Sequence, residues 1–293
     1  MKRLATAAAL AGPSGVVLAL QDAEEPQRVL ERAHRLARTL QQRLMVVRVL
    51  PKNRVCSVVH GVWGSRKAAI RPRDAHEATR GWLRRCLGTP AETIRVVVLG
   101  GDFVPAAASC ARYIRARLLV MSPDSQKVGR LAIALARASG TQVLVARGEE
   151  RGSPILAATD LQDPAFRVLR SAAEIAHIFK QRLIAFHNVD PLSVVSGRAV
   201  TSTGVMLTGG VPKATRRESL VSVSRSLQID ANPVLGAALD AAQAILDEAE
   251  ARDAGLIVVG ARASPWWRRL TSEHVSARVA SQADSAVLVT PIP

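Results

Sequence analysis

The segment "LIVVGARASPWWRRLTSEHVSARVA", Leu256 to Ala280, holds the residues best placed to do chemistry. An apolar run ends on Gly260, a basic loop carries Trp266, Trp267, Arg268 and Arg269, and an amphipathic helix follows. Strand, glycine, loop and helix is an arrangement that holds phosphate: backbone N–H groups approach through glycine, and the helix N-terminus adds partial positive charge. Arg268 and Arg269 add guanidiniums that grip phosphate by paired hydrogen bonds. Glu273 and His274 stand at the helix start, and a carboxylate there takes the electrostatic slot a phosphate would use. A plainer reading is a Ser or Thr N-cap followed by an acid in the first turn, with the adjacent tryptophans anchoring the loop.

A second charged feature is "RKAAIRPRDAHEATRGWLRR", Arg66 to Arg85. Arg73, Arg80 and Arg84 fall near one helical face with Trp82 among them, the footprint of phosphate contacts to a nucleic acid or of an acidic protein partner. The bland alternative is a solvated arginine face. No Ser-His-Asp order, metal-spaced histidine cluster, HExxH or Walker motif occurs, so the expectation is a binding protein rather than an enzyme, with neither catalytic residues nor a metal.

The elements that must carry these residues come from the whole chain. Its 293 residues suffice for two domains; 48% are hydrophobic, 22% charged and only 3% aromatic, so the core is built from Val, Leu, Ile and Ala. The net charge of +16 is uneven, with +14 in residues 1–150 and +2 in residues 151–293. Cys56, Cys86 and Cys110 are odd in number and widely spaced, which fits a reducing cytoplasm. The start "MKRLATAAALAG" has the outline of a signal peptide, but its apolar stretch is short and interrupted by Thr6. No apolar run reaches the roughly 20 residues of a membrane span. A protein of the cytoplasm with no membrane partner is expected.

The chain reads twice. "PQRVLERAHRLARTLQQRLMVVRVLP" (Pro26–Pro51) answers "PAFRVLRSAAEIAHIFKQRLIAFHNVDP" (Pro164–Pro191): an amphipathic helix, Gln-Arg-Leu, an apolar strand and a closing proline. In the first copy Val29, Leu30, Ala33, Leu36, Ala37 and Leu40 recur at helical spacing. "ARLLVMS" answers "AGLIVVG", and "TQVLVAR" answers "SAVLVTP". Strands are predicted near 16–20, 44–50, 94–99, 117–121 and 142–146, then 155–159, 183–189, 228–235, 256–260 and 286–290. Helices are predicted near 25–41, 73–87, 103–115 and 127–138, then 164–180, 214–226, 237–252 and 272–281. Continuous Val/Ile/Leu strands alternating with helices mean parallel strands buried on both faces. The result is an α/β protein of two doubly wound, Rossmann-like, five-stranded domains in tandem, 1–150 and 151–293, divided at "RGEERGSP". Residues 53–73 and 190–213 are read as long insertions after the second strand of each half.

This order resembles the universal stress protein family in its tandem form. The likeness is strongest in "VLGAALDAAQAILDEAEARDAGLIVVGAR" and "VSARVASQADSAVLVTPIP". The resemblance implies a stress-response binding protein and, in ATP-binding members, an acid ending the first strand plus a G-x2-G-x9-G-[S/T] motif after the fourth. Carried over, Asp160 takes the acidic position and Gly260 the first glycine, whereas Ala263, Glu273 and His274 stand at the remaining motif positions. In the first half Gln21 or Asp22 stands at the acidic position and Ser122 at the first glycine. Degenerate nucleotide loops with weak or lost ATP binding are therefore expected; the alternatives are ATP held in the second half through Arg268 and Arg269, or an acidic partner met by the basic first half. The resemblance also implies an internal pseudo-dimer, its two-fold relating the strands "VLVAR" and "VLVTP", and allows a homodimer of whole chains.

Overall fold

The computed structural model describes residues 15–22, 24–52, 71–124, 127–147, 153–161, 163–189, 199–201, 204–206, 213–262 and 272–292; for 199–201, 204–206, 213–216 and 272–274 it describes the backbone. The chain divides into two compact units, Met1–Ala146 and Arg147–Pro293.

The first unit runs β1 (Val16–Gln21), α1 (Gln27–Thr39), β2 (Leu44–Leu50), α2 (Pro72–Leu87), β3 (Arg95–Gly100), α3 (Phe103–Tyr113), β4 (Leu118–Met121), α4 (Val128–Ser139) and β5 (Gln142–Val145), with a single 3-10 turn at Thr89–Thr93. All its strand pairs are parallel, in the order β3-β2-β1-β4-β5. Residues Val16 to Leu20 are fully buried, as both faces of a parallel sheet must be when helices cover them. On α1 the predicted stripe Val29, Leu30, Ala33, Leu36 and Ala37 is buried, and Leu40 lies just past the helix at half burial.

The second unit repeats the plan: β6 (Ile155–Ala158), α5 (Arg167–Phe179), β7 (Leu183–Asn188), β8 (Ala199–Thr201), β9 (Gly204–Met206), α6 (Lys213–Ser226), β10 (Ala231–Gly236), α7 (Ala241–Ala251), β11 (Leu256–Arg262), α8 (Ser272–Gln282) and β12 (Ala286–Ile292). Its parallel sheet has the order β10-β7-β6-β11-β12. Asp163, 5% exposed, starts α5 by accepting from the Ala165 and Arg167 backbone N–H groups at 3.1 and 2.8 Å. Among the described residues no helix is long and apolar enough to cross a membrane.

Two elements differ from the sequence reading. The stretch 190–213, read as a loop, contains the antiparallel pair β8–β9, in register Ala199↔Met206 to Thr201↔Gly204; its Ser, Thr and Gly content hides two three-residue strands. The strand expected from residue 228 begins at Ala231. Gln228 adopts a left-handed φ of 55°, and Ile229 N–H returns to the Ser224 carbonyl, so residues 228–230 still close α6.

Candidate functional site

In an open parallel sheet the ligand crevice lies beyond the carboxyl ends of the strands, where strand order reverses. That point falls between β1 and β4 in the first unit and between β6 and β11 in the second. The pairings Val16↔Leu44 and Ile155↔Leu183 align the two β-sheets residue for residue, as do Val16↔Leu118 and Ile155↔Leu256. Gln21 therefore corresponds to Asp160, and Ser122 corresponds to Gly260. The next residue is left-handed in both units, Asp22 at φ 44° and Leu161 at φ 59°.

In the second unit Asp160 sits two residues past β6 and is 54% exposed along its side chain. The last residue of β11, Arg262, places Nη2 3.1 Å from its Oδ2 and 3.2 Å from its Oδ1. The first glycine lies within β11, paired with Thr290, and the strand continues to Arg262. A Cβ on Gly260 would meet Ile292 Cδ1 at 2.4 Å and Val168 Cγ2 at 3.3 Å. A side chain there would have to displace the Ile292 side chain of β12 and press on Val168 of α5, so the packing favours glycine independently of any phosphate. The Gly260 carbonyl accepts from Ser276 Oγ at 2.7 Å, which ties the strand to α8. Glu273 and His274 are the second and third residues of α8. Ala263, Arg268 and Arg269, with Trp266 and Trp267, lie outside the described residues.

Sequence reasoning missed a pair of buried polar side chains that face the two crevices differently. His187 on β7, 7% exposed, has Nδ1 2.8 Å from the Thr159 carbonyl, so that nitrogen carries the proton. Arg48 stands at the same position of β2 and is 4% exposed. Its Nη1 donates to the Asp22 carbonyl at 2.9 Å and its Nη2 to the Glu24 carbonyl at 3.0 Å. Burial lowers the Arg48 pKa, while Glu25, Asp22 and Glu24 hold it charged. Glu24 bends back to accept from Gln21 N–H at 3.1 Å; burial raises its pKa, and nearby Asp124 raises it further. Across the crevice Ser122 Oγ donates to Asp124 Oδ2 at 2.5 Å. The first crevice is thus spanned by the chain's own guanidinium and acids. The available signal was a polar residue after an apolar run within each strand, the Arg of "LMVVRVL" and the His of "LIAFHN".

The arginine stripe is divided. Arg73 pairs with Glu77 at 3.0 Å, and Arg80 donates to the Ala91 carbonyl at 3.2 Å. A groove of about 650 Å³ beside them is lined by His76, Arg80 and Arg84 but also by Glu77 and Glu92. Trp82, grouped with the stripe in sequence, is 3% exposed and packs inward, out of reach of a stacking base.

The fold and the β6–β11 switch point define a doubly wound α/β domain. Residues 153–291, which make up most of the second unit, match the Universal stress protein family. Over the whole chain the fold is similar to a universal stress protein from Archaeoglobus fulgidus DSM 4304, at a TM-score of 0.62 and 14% identity, covering 94% of this chain and 96% of that one. It is also similar to a functionally unknown protein from Pseudomonas aeruginosa PAO1, at a TM-score of 0.60 and 17% identity, covering 97% and 94%. A shorter universal stress protein from Archaeoglobus fulgidus, in complex with dAMP, matches 48% of this chain and 98% of its own at 23% identity and a TM-score of 0.32. No curated protein matches the sequence.

Proposed function

We propose that the protein is a stress-response binding protein whose nucleotide contact is confined to the second unit and is weak. The observation that supports this reading is Arg48: a buried guanidinium bonded to the Asp22 and Glu24 carbonyls puts the chain's own cation at the carboxyl end of the first sheet, where a phosphate would otherwise be met. Weakness in the second unit follows from three features of its own crevice. Asp160 is engaged by Arg262, Ile292 packs over Gly260, and Glu273 lies in the first turn of α8. A phosphate within about 4 Å of such a carboxylate is opposed by roughly 1–4 kcal/mol.

The test is purification of the full chain without added nucleotide, mass analysis of released small molecules, and calorimetric titration with ATP. The expected outcome is no stoichiometric nucleotide and at most one weak site per chain. One tightly held ATP per chain would overturn the weakness, and two would overturn the assignment to one unit. The triple variant Ala263→Gly, Glu273→Gly, His274→Ser is expected to tighten ATP binding by restoring loop donors and removing a like charge.

A further inference from the structure

We propose that β3, the outer strand of the first unit, pairs antiparallel with β3 of a second copy of this chain and so closes a two-fold dimer.

Among the described residues β3 pairs with β2 alone within its unit. The Gly101 N–H donates to the Leu50 carbonyl at 2.9 Å. Backbone groups alternate sides along a strand, so Val96, Val98 and Gly100 turn their N–H and C=O groups away from β2. Every residue from Arg95 to Leu99 is half-buried, whereas all seven residues of β2 are buried. The outer strand of the second unit, β10, is built differently. There the Gly236 carbonyl accepts from the Val189 N–H at 3.0 Å on the β7 side, so Pro233 falls on the open side, where its missing N–H interrupts a further ladder. β3 carries no such guard, and Val96 to Leu99 are apolar throughout. An edge of this kind is a template for another strand.

The ends of the strand select the occupant. β3 begins at Arg95, whose Nη1 is buried without a hydrogen-bond partner among the described residues, a cost that a new acceptor relieves. Asp102 follows the strand, 71% exposed along its side chain and paired with Lys52 at 3.4 Å. Such an exposed pair is worth at most about 1 kcal/mol and exchanges readily. A two-fold axis through Val98 sets Val96 opposite Gly100 of the second copy and joins all three outward residues in hydrogen-bonded pairs. The same register puts Arg95 opposite Gly101 of the second copy and one residue from its Asp102. Each copy's cation then meets the other's acid, at both ends of the ladder. A parallel approach would set Arg95 against Arg95. An unrelated peptide would have to supply both charges, which a second copy carries by symmetry.

The experiment is sedimentation equilibrium of the full chain at about 0.15 M salt, which screens the net charge of +16 on each copy. Thermal melting of each variant establishes that it is folded. Between about 1 and about 200 μM the unaltered chain is expected to pass from monomer to dimer, the strength of a small interface. Val98→Pro copies the guard of the other edge and should weaken the dimer at least about tenfold. Arg95→Glu and Asp102→Lys, each alone, set like charges together at both ends and should weaken it too. Mixed in equal amounts, these two variants restore an unlike pair at each end and should recover the dimer. A chain that stays monomeric throughout the range overturns the proposal. A dimer indifferent to Val98→Pro uses another surface and overturns it as well. Loss in both charge variants without recovery on mixing overturns the antiparallel pairing.

Discussion

The two crevices are built on one scaffold and closed in opposite ways. At one sheet position the first unit carries Arg48, whose guanidinium reaches across to the carbonyls after β1. The second unit carries His187, which stops at Thr159. Around Arg48 stand Asp22, Glu24 and Glu25; in the second unit Asp163 caps α5 and Asp160 is turned to Arg262. A repeated fold keeps the hydrophobic spacing that makes the sheet but does not constrain the polar residues at its carboxyl ends. One long side chain decides whether a guanidinium of the chain itself reaches that end of the sheet.

The largest expected effect breaks the first unit. Arg48→Ala removes two charge-assisted hydrogen bonds from a buried site together with the positive charge that faces Glu25, Asp22 and Glu24; it is expected to cost about 3 kcal/mol in urea unfolding. His187→Ala removes one neutral hydrogen bond and is expected to cost about half as much. Equal costs would mean that the guanidinium does not hold the first crevice together. A smaller effect sharpens the glycine comparison. Gly260→Val drives a side chain into Ile292 and Val168 and is expected to cost about 2 kcal/mol. Adding Ile292→Ala should return part of it, while Ser122→Gly in the first unit should cost less than about 1 kcal/mol. If Ile292→Ala returns nothing, packing is not what requires glycine at 260.

The smallest effects lie in the pH dependence, where the two units slope oppositely. Burial holds the folded-state pKa of Glu24 above its ordinary 4.5, so the native state binds that proton more tightly than the unfolded chain. Its contribution is present below 4.5 and is lost as pH rises through the raised value; Glu24→Gln should remove this loss. Asp240 caps α7, accepting from the Gln243 and Ala242 N–H groups, and pairs with Arg278. The Gln243 N–H, then Arg278, lower its pKa below 3.8. Its contribution is present above 3.8 and is lost as pH falls through the lowered value, so Asp240→Asn should flatten the acid side. Urea unfolding of both variants between pH 3 and 7 reads both slopes, and slopes of one sign would contradict the assignment.

Much of the fold was legible because it is repetitive and hydrophobic. "LMVVRVL" and "LIAFHN" announced paired strands, and the α1 stripe announced its buried face. Of the candidate site, the strand positions were legible: Asp160 follows β6 and Gly260 lies in its neighbour β11. Arg48, His187 and Arg262 were not assigned, since their roles depend on contacts between residues distant in sequence, such as Arg262 with Asp160, 102 positions apart. Gly260 read as a phosphate glycine for the same reason; that Ile292 fills the space over it depends on the register of β11 and β12.

By itself the sequence determined two α/β repeats, their parallel strands and the position of their crevices, because hydrophobic period and turn residues act locally and recur. Only the tertiary structure decided what stands in each crevice. Charge pairing, close packing and the burial of a guanidinium are set by which distant side chains the sheet order brings within a few ångströms of one another.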